Sequence, residues 1–370
     1  MLNPLFFPEN YNYYICNKDE LNYSVKLSIQ KPDIMAYVFL IAGIIFIVIY
    51  IPCILVMLKN EFFNNSCYKI MVFLSLIDVS AVMVNSIATG IFGILRIPYC
   101  FSPKLHLAIG SFGVSIWCAT CATTTILTFN RFLDTTYKSL YFKLFDGKKT
   151  FIWLILPIIY FLYFFFFTSP LAFSQIYMSW FFNPYQDYLE LEKFKRSTNF
   201  NNIPHTINNF LIIIFMILGY GAMFFKLSRK SNKISTSSNT SHVLVKVQIQ
   251  VSIICFFVFA AALLYVYMQF FPVIVKVQIQ VSIICFFVFA AALLYVYMQF
   301  FPVPPILAII SQILWSFAQG CGGVIYITLN STIRQAIRRD LLNKKKLLTI
   351  THYLSKKERN VTERRVTTKI

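Results

Sequence analysis

Apolar stretches of about twenty residues or more, cut by short polar links, recur along the whole chain. At about 1.5 Å of rise per residue, such a stretch crosses a hydrocarbon core of about 30 Å. Lipid offers the backbone no hydrogen-bond partner, so each crossing must be a helix or part of a closed barrel. Unbroken apolar runs lack the alternation of a barrel strand. The pattern predicts helical spans at about 34–58, 70–95, 105–132, 151–169, 207–225, 245–270, 275–300 and 305–329. Pro52 is expected to kink the first. The third has no charged residue from Leu105 to Asn130, and its lower half is small or hydroxyl-bearing: Cys118, Ala119, Thr120, Cys121, Ala122, Thr123, Thr124 and Thr125. Such residues let neighbouring helices approach and hydrogen-bond across the contact, which predicts a central helix with Arg131 at its membrane exit. Asp78 lies inside the second span, and a carboxylate at that depth is expected to face the bundle interior.

One interruption of the pattern is a repeat. The stretch 245–273 reads VKVQIQVSIICFFVFAAALLYVYMQFFPV and recurs unchanged at 275–303. Structural arrays repeat with variation and need about three units, whereas these are two identical ones. Counting both copies puts both chain ends on one side of the membrane. The basic links at 59–69, 138–149 and 226–246 then share a face opposite the nearly balanced loops at 93–104 and 171–206. The tail from Ser331 holds twelve basic and three acidic residues, with Arg334, Arg338, Arg339 and Lys344–Lys346 close behind the last span. The positive-inside rule wants that tail with the basic links, which requires seven spans rather than eight. One copy is therefore expected to be surplus, a tandem duplication or an error of assembly, with the second copy as the working helix. The expected fold is an all-α polytopic membrane protein: a seven-helix bundle over 34–329, an outer segment 1–33, a basic amphipathic helix at 331–348 and an inner tail at 349–370. Ile333, Ile337, Leu341 and Leu342 give that amphipathic helix an apolar stripe for the membrane lipid of the inner leaflet.

Composition agrees. The chain of 370 residues is 58% hydrophobic and 18% aromatic, and only 13% charged, against about 25% in soluble domains. The net charge of +19 sits in links and tail rather than in a basic domain, which excludes nucleic acid as a partner. No cleavable signal peptide is visible at the start, so the first span is expected to serve as the targeting element. Nine cysteines show no metal-ligand spacing, and the Cys118–Cys121 pair lies inside a span, where packing is the expected role. No cofactor is implied. An enzyme is not expected, because no paired acids, Ser–His set or metal triad lies in the membrane, and the four histidines fall at span ends, in loops or in the tail. A carrier or ligand-gated channel subunit is the alternative class. Carriers show inverted repeats and paired mid-membrane charges, neither of which is present. A further alternative is a product left non-functional by the duplicated helix.

Several residues carry a more specific resemblance. Asn130-Arg131-Phe132 resembles the acid-Arg-aromatic triplet of rhodopsin-like receptors, Asp78 stands where they hold a second-helix Asp, and Tyr326 matches the Tyr of their Asn-Pro-x-x-Tyr. Tyr68-Lys69-Ile70-Met71, Tyr99-Cys100, Trp117, Asn130-Arg131, Ile325-Tyr326, Asn330 and Ile333-Arg334 in this order resemble the nematode serpentine chemoreceptors of class T, over roughly residues 34–340. The resemblance implies a G-protein-coupled receptor in the plasma membrane, N-terminus outside, in sensory cilia. It would bind a small molecule outside and a heterotrimeric G protein inside, with Asn130, Arg131, Tyr326 and Asp78 in coupling and activation. The chain departs from the superfamily in having Asn130 where the acid stands, so Arg131 lacks its adjacent partner; Gln248 or Gln278 can substitute. The 171–206 loop has no Cys for the usual disulfide. Only Cys16 and Cys100 lie outside the membrane on that face, and in an oxidising exterior they are expected to pair. The Asn22-Tyr23-Ser24 sequon is the expected glycosylation site. The ligand is expected against Phe112, Ser115, Trp117, Tyr295, Tyr297 and Trp315. No charge marks that region, which favours a small uncharged or apolar ligand.

Overall fold

The computed structural model of the chain describes residues 2–7, 14–188, 200–234, 273–301 and 303–340. The first repeat copy, Gln248 and the tail beyond 340 lie outside the described residues, except that Val273 is described. Local chemistry fixes the helix ends. Helix α1 (Lys18–Ile29) starts in a capping box: Asn17 accepts from the Glu20 backbone and Glu20 from the Asn17 backbone. Asp33 caps α2 (Ile34–Met57), and Asn65 caps α4 (Ser66–Val82), which follows the single turn α3 (Asn60–Phe63). A π-helical segment, Met83–Ala88, joins α4 to α5 (Thr89–Leu95), making one long helix. Arg96 ends it in the left-handed conformation, φ 50°, and donates to Gln30 Oε1 at 2.7 Å. Helix α6 (Pro103–Thr136) opens with proline in its first turn, where no N–H is missed. Then come α7 (Lys138–Phe145), α8 (Lys149–Phe167), a hairpin of β1 (Ala172–Ser174) and β2 (Ser179–Phe181), α9 (Ile203–Ile234), α10 (Val273–Phe300) and α11 (Pro305–Leu329). Residues 331–340 form a last helix.

Five helical stretches, Ile34–Met57, Ser66–Leu95, Pro103–Asp134, Lys149–Phe167 and Pro305–Thr328, are long and apolar enough to span a membrane. α9 and α10 contribute the shorter apolar stretches Ile203–Phe215 and Phe287–Phe300. The chain is an all-α polytopic membrane protein. Helix α6 lies at the centre, packed on α4, α8 and α9, with 72% of its apolar window buried, against 28% in α2 and 22% in α8. The outer faces of α2 and α8, with Ile41, Ile44, Val48, Ile155, Leu156 and Ile159 exposed, present aliphatic surface to lipid. The hydroxyls of α6 act differently from the expectation. Thr120, Thr123, Thr124 and Thr128 each donate to the carbonyl four residues back, and Thr120 also reaches Gln319 Oε1 on α11, at 3.3 Å. Bonding back satisfies each hydroxyl within the helix and leaves a slim surface for neighbours. Helix α10, from the second repeat copy, packs against α9 and α11.

The stretch after α8 is not an open loop. β1 and β2 pair antiparallel, Phe173 opposite Trp180, and every strand residue is buried. The hairpin plugs one end of the bundle, with the N-terminal segment laid beside it. Cys16 is disulfide-bonded to Cys100, Tyr99 Oη donates to the Tyr14 carbonyl and Tyr185 Oη to that of Ile15.

Candidate functional site

Beneath the hairpin is a small cavity lined by Gly113, Val114, Trp117, Leu171, His205, Tyr295 and Trp315. Its volume of about 10 Å³ is the room one water molecule needs. Aromatic rings form its walls. Trp315 meets Trp117 edge-on with ring centres 6.5 Å apart, and Tyr295 edge-on at 5.6 Å. The side chains come from α6, α9, α10 and α11, so the cavity sits where four helices converge. Of the residues expected at a ligand site, Trp117, Tyr295 and Trp315 line it. Phe112 instead packs on Phe161 of α8, Ser115 donates to the Ser111 carbonyl within α6, and Tyr297 is half-exposed and stacked on Phe301.

Gln312 of α11, which the sequence reading passed over, ties this region together. Its Oε1 accepts from Tyr295 Oη on α10 at 3.1 Å and from Ser179 Oγ in the hairpin at 3.3 Å. Its Nε2 donates to the Asn85 carbonyl at 2.7 Å and lies 3.3 Å from Thr89 Oγ1. Asn85 lies in the π segment, whose wider turn leaves that carbonyl open to α11; Ser316 Oγ reaches it as well, at 3.2 Å. Thr89 in turn accepts from Trp180 Nε1 at 2.8 Å. The signal for Gln312 was available: a buried polar side chain within an apolar span belongs to the bundle interior.

The hairpin is braced from the loop side. Asp187 accepts from Ser174 Oγ, from the Gln175 backbone at 2.7 Å and from the Ile176 backbone at 3.2 Å. Burial pushes its carboxyl above the ordinary carboxylate range, against the pull of those donors and of Arg96. Burial likewise pushes the Tyr188 phenol up to about 12, against its hydrogen bond with Ser24. That bond buries the hydroxyl of the sequon, while Asn22 itself is exposed on α1.

A second polar layer lies deeper. Tyr50 Oη is 2.9 Å from Asp78 Oδ2 and 2.7 Å from the Gln319 carbonyl, so Asp78 faces α2 and α11 inside the bundle, and Tyr326 is buried nearby. At the far end of α6, Asn130 Nδ2 donates to Ser66 Oγ at 3.0 Å, and Ser66 shares a 2.7 Å bond with Tyr141 of α7. Arg131 has an acid after all: Asp134, three residues on, with Nη1–Oδ2 at 3.6 Å. The 331–340 helix docks beside this end, with Ile333 and Ala336 buried, Arg339 pairing with Glu61 at 3.1 Å and Asp340 pairing with Lys59.

A family model described as the serpentine type 7TM GPCR chemoreceptor Srt matches residues 5–279 and again 273–349, breaking at the repeat. Serpentine receptor class T-55 of Caenorhabditis elegans is 29% identical over 140 residues, which are 37% of this chain and span 38% of that receptor's length.

Proposed function

The chain belongs to the Srt family of serpentine seven-helix chemoreceptors, and on that footing we propose that it binds a small molecule at the hairpin end and activates a heterotrimeric G protein at the Arg131 end. In this reading the N-terminus and hairpin face outside at the plasma membrane of a sensory cilium. Asn22 carries the sugar there, and the basic links face the anionic inner leaflet. The observation that carries the reading is the Gln312 junction directly under the hairpin. A ligand beside Trp315 and Tyr295 acts on the contact between α10 and α11, and that contact is shared with the hairpin and the π segment. A ligand shifts a helix equilibrium only by binding one arrangement better than the other. Here the two arrangements differ in whether Tyr295 stays bonded to Gln312. Movement of α10 then uncovers the inner end of α6, where Arg131 meets the G protein, with Asn130, Asp78 and Tyr326 holding α6, α4 and α11 in register.

The test uses cells expressing the full chain with a G-protein reporter and a panel of small neutral compounds. Compounds active on the wild type evoke no response from Arg131→Ala at equal surface expression. A response retained by the variant overturns the coupling role.

A further inference from the structure

The wall of the cavity under the hairpin holds a hydrogen-bond donor whose acceptor is missing. Trp315 lines it, is 3% exposed, and its Nε1–H is buried with no acceptor. Trp117, also in the wall, donates from Nε1 to Asn209 Oδ1 at 2.8 Å, and Asn208 Nδ2 donates to the same oxygen at 3.1 Å. Two donors on that oxygen fix the orientation of the Asn209 amide. Its Nδ2 is left buried without a partner. His205 also lines the cavity. Gln299 of α10 bridges Thr206 Oγ1, at 2.6 Å, and His205 Nδ1, at 3.0 Å. Gln312 Oε1 is already taken by Tyr295 and Ser179.

Buried polar groups in folded proteins are paired, and orphans ask for a water, an ion or a ligand. The orphan in this wall is a donor, so its partner must bring an acceptor. No Asp, Glu, Lys or Arg lines the cavity, so an anion would enter without a counter-charge, at a large desolvation cost. The walls are indole, phenol and aliphatic carbon. Gly113 makes the room: a Cβ there would stand 3.1 Å from Val84 Cγ1 and 3.5 Å from the Trp315 ring.

We propose that the ligand is a small, neutral compound whose carbonyl oxygen takes the unfilled donor of Trp315, with its apolar chain against the aromatic wall. This deepens the receptor reading above and rests on it. In the present arrangement the space suits one water, so such a ligand enters only as the Trp315 and Tyr295 rings separate. Those rings stand on α11 and α10, so occupancy and helix separation are one event.

The experiment measures thermal stabilisation of the purified full-length chain in lipid nanodiscs by short methyl ketones and by the alkanes, primary amines and carboxylates of matching length. Ketones are expected to bind about 3–10-fold tighter than the alkanes, the worth of a hydrogen bond of about 0.5–1.5 kcal/mol. Trp315→Phe keeps the ring, removes the donor, and is expected to erase that preference while alkane binding persists. Gly113→Ala, which keeps the Trp315 donor, is expected to weaken ketone and alkane alike. The proposal is overturned if amines or carboxylates bind best, if no ketone binds, or if the ketone preference survives Trp315→Phe, in which case the donor serves a buried water only. Ketone binding that follows these rules yet evokes no signal in cells leaves the donor site standing and overturns the receptor reading instead.

Discussion

Arg131 and Asp134 lie three residues apart, the spacing at which two side chains on one helix face each other. The familiar triplet puts the acid next to the arginine, and Asn130 in that place pointed the sequence reading towards glutamines on another helix. Asn130 instead bonds to Ser66, linking the end of α6 to α4 and, through Tyr141, to α7. Asp134 was legible once helical spacing, rather than adjacency, is applied. Its side chain is 37% exposed, so its hold on Arg131 is screened and small, about 0.5 kcal/mol. That still moves a two-state population by about twofold. Asp134→Asn should therefore raise basal G-protein activity about twofold at unchanged surface expression. Basal activity equal to or below the wild type would show that the pair does not restrain Arg131.

Among the elements, the spans were legible because twenty apolar residues in a row admit one structure in lipid. Helices α2 and α4 start where Asp33 and Asn65 cap them, and α11 starts with Pro305 in its first turn. The hairpin was not legible. Its strands are three residues long and buried on both faces, so LAFSQIYMSWFF shows no alternation, and Met178 rather than glycine takes the positive φ of 48° at the turn. What seats the hairpin is remote in sequence. A Cβ on Gly110 of α6 would fall 1.8 Å from the Leu171 carbonyl oxygen, a backbone atom that cannot turn aside. Gly110→Ala must therefore shift the chain leading into β1, with Trp180 and Phe173 behind it. Overpacking of this kind costs about 1–3 kcal/mol. The expected result is a lower unfolding temperature of the purified chain and loss of ligand response, with the protein still reaching the membrane. An unchanged unfolding temperature would mean that the hairpin does not press on α6.

At the scale of the whole molecule, the repeat decides which way the ends face. Among the described residues α10, from 273–300, packs against α9 and α11, and the family match is split at the repeat, 5–279 and then 273–349. The join from α10 to α11 through Phe301 and Pro304 is tight, whereas the link from α9 is long, and loops tolerate insertion better than tight turns. Removing 30 residues, 245–274, joins the basic link directly to the second copy without altering any residue of α10 beyond its first turn. If the first copy is surplus, the shortened chain keeps its fold, is made in higher yield, and holds an epitope after Ile350 on the cytosolic side, with the twelve basic residues of the tail obeying the positive-inside rule. In the full-length chain the same epitope reports what the extra apolar segment does. Cytosolic in both versions, it means that the first copy adds no net crossing. Outside in the full-length chain and inside in the shortened one, it means that the first copy crosses the membrane and carries the tail to the other face. A shortened chain that fails to fold would assign the first copy a part in the bundle and remove the case for a surplus helix.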